Sequence, residues 1–82
     1  MNQIEKAVRE TIVEIWEQRS RPVREIAPTQ LLIQDLGLES MDIAQLVATL
    51  EMKLSVDPFA KDVSIASVRT VAELCAAYAG RV

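Results

Sequence analysis

The sequence lacks histidine and holds one cysteine, Cys75, among its 82 residues. Without histidine the chain can form neither a Ser-His-Asp nor a Cys-His catalytic group, and it lacks the commonest metal ligand. A lone cysteine excludes an internal disulfide and a cysteine-based zinc site. These absences argue against an enzyme and favour a reducing, cytoplasmic location.

Aromatic residues and long apolar runs are also scarce. Only Trp16, Phe59 and Tyr78 are aromatic, although half of the residues are hydrophobic. The core must therefore be mainly aliphatic, and no run is long enough to insert into a membrane. The chain length suits a single domain over residues 1–82. The starting methionine and the absence of linker-like segments favour a free-standing protein, expected to be a monomer.

Positive charge is nearly absent from one region. The net charge is −3, but residues 35–57 contain five acids and a single base, Lys53. Such a field repels nucleic acid and anionic membranes and favours basic protein surfaces. The acids of this region are Asp35, Glu39, Asp42, Glu51 and Asp57.

Apolar residues at helical spacing predict three main helices. The first covers roughly residues 2–19, and the second begins at Ser40 and ends near Leu54. Thr70 and Glu73 have the spacing of a capping box that introduces a last helix to about Ala79. Asp57-Pro58 is compatible with a short helix or with a turn. The predicted fold is all-α, a small bundle of three main helices plus one short helix.

A long loop separates the first two helices. Pro22 and Pro28 argue against a continuous helix through residues 20–37. Loops of this length in compact domains are usually functional. Part of the loop should pack onto the core, because it is rich in apolar residues, and Gly37 is expected in a turn. These apolar residues are Val23, Ile26, Leu31, Leu32, Ile33 and Leu36.

Ser40 allows two interpretations. Taken alone, a serine at a helix start is most simply an N-cap. Its surroundings, a glycine turn and several acids, instead indicate a serine that another protein can reach. The chain has no histidine, and the first lysine after Ser40 is Lys53, so neither residue type is at hand to activate the hydroxyl. If Ser40 takes part in chemistry, a partner enzyme must supply the base, which describes an acceptor for a covalent modification.

The segment "DLGLESMDIAQLVATLE", Asp35 to Glu51, resembles the attachment-site motif of acyl carrier proteins, Asp-Leu/Phe-Gly-x-Asp-Ser-Leu. The resemblance extends over nearly the whole chain and includes Arg69-Thr70-Val71 at the start of the last helix. It implies that a phosphopantetheinyl transferase attaches 4′-phosphopantetheine to Ser40, using coenzyme A. The thiol of that arm would carry acyl intermediates as thioesters to an acyl ligase, ketosynthase or acyltransferase with a basic docking surface.

The resemblance also implies a docking surface for these partners. Asp42 and Glu51 fall where acids of the family meet basic residues of partner enzymes, and Glu39 replaces the usual aspartate. Met41 replaces a leucine, while Gln45 and Met52 replace glutamates, which favours a specialised polyketide, lipid or other secondary pathway. The predicted docking residues are Asp35, Glu39, Met41, Asp42, Gln45, Glu51 and Met52.

An acyl chain could be sheltered between the second helix and the segment that follows it. The expected walls of this pocket are Ile43, Leu46, Val47, Ile65, Val68 and Ala72. Two other functions stay open at this point: a peptidyl or aryl carrier loaded by an adenylating ligase, and a helical interaction module with an unmodified Ser40. A hydrolase using Asp35, Glu39 and Asp42 is disfavoured, because these acids have the pattern of a solvated face.

Overall fold

The computed structural model describes residues 3–55 and 68–79. Three helices are present in this part of the chain: α1 (Gln3–Gln18), α2 (Ser40–Leu54) and α3 (Val71–Ala79). The all-α fold and the predicted helices are confirmed, with ends that differ by about one residue. The short helix expected near Asp57-Pro58 lies outside the described residues. None of the described helices is both long enough and apolar enough to span a membrane.

The core forms where α1 packs against α2 and α3. The apolar face of α1 supplies Trp16, and α3 supplies Tyr78, both among the largest fully buried side chains. Burial of apolar surface at these contacts is the main stabilising term for so small a bundle. The other buried apolar residues of the helices are Ile4, Ala7, Val8, Ile12, Ile15, Leu46, Val47, Leu50, Leu54, Val71 and Leu74.

Backbone hydrogen bonds attach the long loop to the start of α3. The Leu32 amide donates to the Arg69 carbonyl at 2.8 Å, and the Val71 amide donates to the Gln30 carbonyl at 3.1 Å. Leu31 and Thr70 form an isolated antiparallel bridge. This pairing satisfies backbone groups that a helix start and a loop would otherwise leave to solvent.

Part of the loop also packs onto the core, as predicted. Ile26, Leu32 and Leu36 are buried, and so is Leu38, which directly precedes the helix cap. The Trp16 indole N–H donates to the Leu36 carbonyl at 3.2 Å. The loop is therefore attached to the core as well as to the start of α3. Of its remaining apolar residues, Val23 and Ile33 are exposed.

Gly37 ends the loop in the conformation that the sequence predicted. Its φ angle is +71°, in the left-handed region that favours glycine. Three residues later α2 begins, so this turn sets the direction in which the helix leaves the loop.

The capping box at α3 is present. The Glu73 amide donates to the Thr70 hydroxyl at 3.1 Å, and the Thr70 amide donates to the Glu73 carboxylate at 3.0 Å. The Arg69 amide donates to the same carboxylate oxygen at 2.8 Å. These bonds to the backbone amides of Arg69 and Thr70 lower the pKa of Glu73.

A Glu73→Gln variant should lose the stabilisation that depends on this charge. Because the folded protein lowers the pKa of Glu73, the ionised carboxylate stabilises the fold above the ordinary pKa of glutamate. That contribution disappears as the pH falls through the folded pKa. Urea unfolding followed by circular dichroism should show wild type more stable than the variant at pH ~7 and a smaller difference at pH ~3.

Glu25→Gln is the matched control, since Glu25 is an exposed acid of the loop. It should leave the pH dependence of unfolding as in wild type. A Glu73→Gln difference of the same size at both pH values would contradict the assigned role of the charge.

Candidate functional site

Ser40 is the first residue of α2, and its side chain is exposed. The N-cap is the preceding residue, Glu39, whose extended backbone (φ −97°, ψ 170°) leads into the helix. The Glu39 carbonyl accepts the first helical hydrogen bond, from the Ile43 amide at 3.0 Å. The simple interpretation of Ser40 as the N-cap is therefore wrong, because the cap position lies one residue earlier.

Asp42 fixes the start of α2 from inside the protein. Its carboxylate is 0% exposed and accepts a hydrogen bond from the Glu39 amide at 2.9 Å. Arg21 donates to Oδ2 at 3.2 Å, while Arg19 approaches Oδ1 at 3.0 Å. The Arg19 contact is electrostatic, since Oδ1 has no partner with hydrogen-bond geometry among the described residues.

These contacts correct the prediction that Asp42 is a docking residue. A carboxylate that is buried and faces two arginines of its own chain is not available to a basic partner. The sequence missed this role because Arg19 and Arg21 are far from Asp42 along the chain. Only the packing of α1 against α2 brings their charges together.

Arg21 also holds the turn that precedes Ser40. Its guanidinium donates to the Gly37 carbonyl at 3.0 Å and to the Glu39 carboxylate at 3.2 Å. Arg24 lies over the Trp16 ring, 5.5 Å from its centroid, which is within cation–π range. The arginines that follow α1 are thus structural contacts. They also form ion pairs with the two acids nearest to Ser40: with buried Asp42, and with Glu39, whose side chain is 68% exposed.

The other predicted docking residues differ in their solvent exposure and in their contacts. Asp35 is exposed but accepts the Leu31 amide at 2.7 Å, and the amide group of half-buried Gln45 donates to Gln18 at 2.6 Å. Glu51 is half-buried. Met41 and Met52 are 71% and 82% exposed, respectively. The predicted set therefore presents two apolar side chains to solvent, Met41 and Met52, beside the exposed acids Asp35 and Glu39.

A cavity of about 620 Å³ opens beside Ser40. Its walls come from the end of the long loop, the first turns of α2 and the segment before α3, and they are mainly apolar. Among the described residues, the lining comprises Leu31, Leu32, Ile33, Gln34, Ser40, Ile43, Ala44, Val68 and Arg69.

Only some of the residues predicted as pocket walls line this cavity. Ile43 and Val68 line this cavity, whereas Leu46 and Val47 are buried in the core. Ala72 lines a separate hollow of about 150 Å³, together with half-buried Cys75. Burial raises the pKa of the Cys75 thiol. Ile65 lies outside the described residues.

The loop contributes Leu31, Leu32 and Ile33 to the cavity, although the sequence named no loop residue among the expected pocket walls. Part of the loop was expected to pack onto the core, and of these three residues only Leu32 is fully buried. Three consecutive residues in a loop cannot all face one direction. Leu31 and Ile33, which are less buried than Leu32, line the cavity together with it.

Asp42→Asn should lower the free energy of unfolding by roughly 2 kcal/mol. Removing one charge of a buried ion contact leaves the arginines without their counterion. The cost is reduced because the side chains of Arg19 and Arg21 are themselves 36% and 30% exposed to solvent. Urea titration measures the change, with Glu25→Gln as the control. A loss no larger than that of the control would contradict the structural role of Asp42.

The site fits a phosphate-linked arm better than a metal. In residues 3–55 and 68–79, no cluster of acids or cysteines could hold a metal ion. Ser40 instead offers an exposed hydroxyl at the amino end of a helix, where backbone amides and the helix dipole favour a phosphate group. The adjacent cavity provides apolar surface within reach of a flexible arm.

Comparisons with known proteins agree with this site. Residues 10–78 match the family described as "Phosphopantetheine attachment site". The fold is similar to the solution structure of MacpD, an acyl carrier protein from Pseudomonas fluorescens involved in mupirocin biosynthesis. That match has a TM-score of 0.86 and 35% sequence identity, and it covers 96% of this chain and 70% of MacpD. No curated protein matches the sequence. The chain therefore belongs to the acyl carrier protein family, whose members bear 4′-phosphopantetheine and have no catalytic activity of their own.

Proposed function

We propose that Ser40 is the residue that bears 4′-phosphopantetheine and that the protein carries acyl intermediates of a polyketide or other secondary pathway. The observation behind this proposal is the position of Ser40. Its exposed hydroxyl stands at the start of α2, beside an apolar cavity of about 620 Å³. When bound, the arm supplies a thiol that holds an acyl group as a thioester.

The chemistry of attachment requires a second protein. A bond forms between Ser40 Oγ and the phosphorus that bears the pantetheine arm, and the pyrophosphate bond of coenzyme A breaks. Adenosine 3′,5′-bisphosphate leaves, and the hydroxyl proton passes to a base. Because the chain has no histidine, that base belongs to the phosphopantetheinyl transferase. This protein contributes an accessible hydroxyl on a rigid helix start.

The choice of pathway rests on similarity and on the surface of α2. MacpD takes part in mupirocin biosynthesis, and this chain has Gln45 and Met52 at positions where fatty-acid carriers have glutamates. We infer that an acyl ligase, ketosynthase or acyltransferase of a specialised pathway loads and unloads the arm. The protein acts as a monomer, since Ser40 must face several enzymes in turn, and in the cytoplasm, where the free thiol of the arm stays reduced.

Ser40→Ala should abolish modification. Wild-type protein incubated with coenzyme A and a broad-specificity phosphopantetheinyl transferase should gain the mass of one phosphopantetheine, as read by intact-protein mass spectrometry. Ser55→Gly is the matched control: Ser55 is an exposed serine at the other end of α2, and its φ of +58° suits glycine. This variant should be modified as wild type is.

A mass gain in the alanine variant would show that the attachment site is another residue. The absence of any gain in folded wild type that starts unmodified would overturn the proposed function.

The cavity is the proposed shelter for the acyl chain. Its lining is mainly apolar, and Ser40 stands in its wall, so a chain on the arm can fold back into it. Transfer of each methylene from water to an apolar site contributes about 0.8 kcal/mol, which is enough to favour sheltering of medium-length chains. Ile43 and Val68 remain as proposed walls, joined by Ala44 and the end of the loop.

Loading the arm with an eight-carbon acyl group should shift the backbone amide resonances of Ile43, Ala44 and Val68. The reference is protein that carries the unloaded arm, measured by heteronuclear NMR. Glu10 and Glu14 supply the control signals, because they border a different hollow on α1. Unchanged resonances at the cavity residues would show that this acyl group stays in solvent.

A further inference from the structure

The cavity beside Ser40 has one charged side chain in its wall. Among the described residues that line it, Arg69 alone carries a formal charge, and Gln34 adds a neutral amide. Apart from Ser40, the rest of the described lining is apolar. Ligand sites that combine apolar walls with a few polar groups use those groups to orient and select the ligand. The wall therefore offers a contact that an unsubstituted alkyl chain cannot use.

Backbone contacts fix Arg69 at this wall. Its amide donates to the Glu73 carboxylate at 2.8 Å, and its carbonyl accepts the Leu32 amide at 2.8 Å. The next residue, Thr70, forms the bridge with Leu31. The position of Arg69 is thus set by its main chain, while its side chain is exposed and lines the cavity.

The guanidinium of Arg69 is available to a ligand. It forms no ion pair and no hydrogen bond with any residue of 3–55 or 68–79. Glu73 is the acid nearest to it along the chain. The pKa of Glu73 is lowered mainly by the backbone amides of Arg69 and Thr70, and least by the charge of Arg69. The Glu73 carboxylate is therefore engaged by the helix cap rather than by the guanidinium.

The exposed acids around Ser40 belong to other surfaces. Asp35 accepts the Leu31 amide, and Glu39, whose side chain is 68% exposed, pairs with Arg21. Neither acid is among the described residues of the cavity lining. An anionic group inside the cavity therefore has Arg69 as its one charged neighbour in that lining. Apolar walls screen this attraction less than bulk water does.

We propose that Arg69 selects the cargo of this carrier, and that the sheltered acyl group bears a carboxylate or ketone oxygen rather than a plain alkyl end. This inference rests on the proposed function, because the cargo reaches the cavity from the arm on Ser40. The guanidinium donates hydrogen bonds to the oxygen, while the methylenes of the chain contact the apolar walls. A carboxylate is bound most strongly, since its charge is opposite to that of Arg69.

The test compares cargoes of the same shape. The transferase loads Ser40 from adipoyl-coenzyme A, or from an isostere in which an isopropyl group replaces the terminal carboxylate. An isotopic label in the adipoyl carboxylate reports its pKa by NMR titration. This pKa should be about 1 lower in wild type than in Arg69→Gln, because the guanidinium favours the charged form. Arg69→Lys keeps the positive charge and should restore most of the difference.

The isostere supplies a second readout, since the guanidinium resonance of Arg69 should shift when adipoyl replaces it in wild type. Lys6→Gln is the matched control. Lys6 is an exposed cation of α1, a helix that contributes no residue to the described lining of the cavity. This variant should leave the carboxylate pKa as in wild type. Circular dichroism of each variant checks that the helices are retained.

The same carboxylate pKa in wild type and Arg69→Gln would overturn the proposal. A change of equal size in Lys6→Gln would also overturn it, because the effect would then come from the charge of the whole protein. The phosphodiester of the arm is the other source of anionic oxygen near Arg69. If Arg69→Gln moves the phosphorus resonance of the unloaded arm but leaves the carboxylate pKa unaltered, Arg69 binds the arm and does not select the cargo. Failure of the proposed function is distinct, since wild type then gains no arm and no loaded protein forms.

Discussion

The buried carboxylate of Asp42 is the contact on which the geometry of the site depends. It joins three parts of the chain: the backbone of Glu39 before α2, and the arginines Arg19 and Arg21 that follow α1. A charge without solvent exposure is costly unless it is paired, so this carboxylate holds its partners in one arrangement. Because Asp42 lies two residues after Ser40, the same contacts fix the position of the helix start that carries Ser40.

The long loop completes the site from the opposite side. Its backbone pairs with the start of α3 through Leu32 and Val71, and the Trp16 indole holds it at Leu36. A loop attached at these points behaves as part of the scaffold, although it has no helix of its own among the described residues. The end of the loop, held by these contacts, forms one wall of the cavity beside Ser40.

The distribution of polarity suits a protein that presents a cargo without acting on it. Asp42 is held in internal contacts with Arg19 and Arg21, and the exposed residues of α2 include Met41, Ala44, Ala48 and Met52. A carrier that meets several enzymes benefits from this arrangement, because side chains held in internal contacts are less available to react with a thioester. The absence of histidine has the same consequence, since no imidazole is available to catalyse hydrolysis of the cargo.

The sequence by itself determined the helices, the glycine turn, the capping box at Thr70 and the exposed serine at the start of α2. These features follow from local rules: helical spacing of apolar residues, the freedom of Gly37 at positive φ, and the pairing of Thr70 with Glu73. The tertiary structure alone decided the roles of Asp42, of the arginines and of the loop residues that line the cavity. Their roles depend on which side chains meet across α1 and α2, and charges separated by some twenty residues carry no local signal of that meeting.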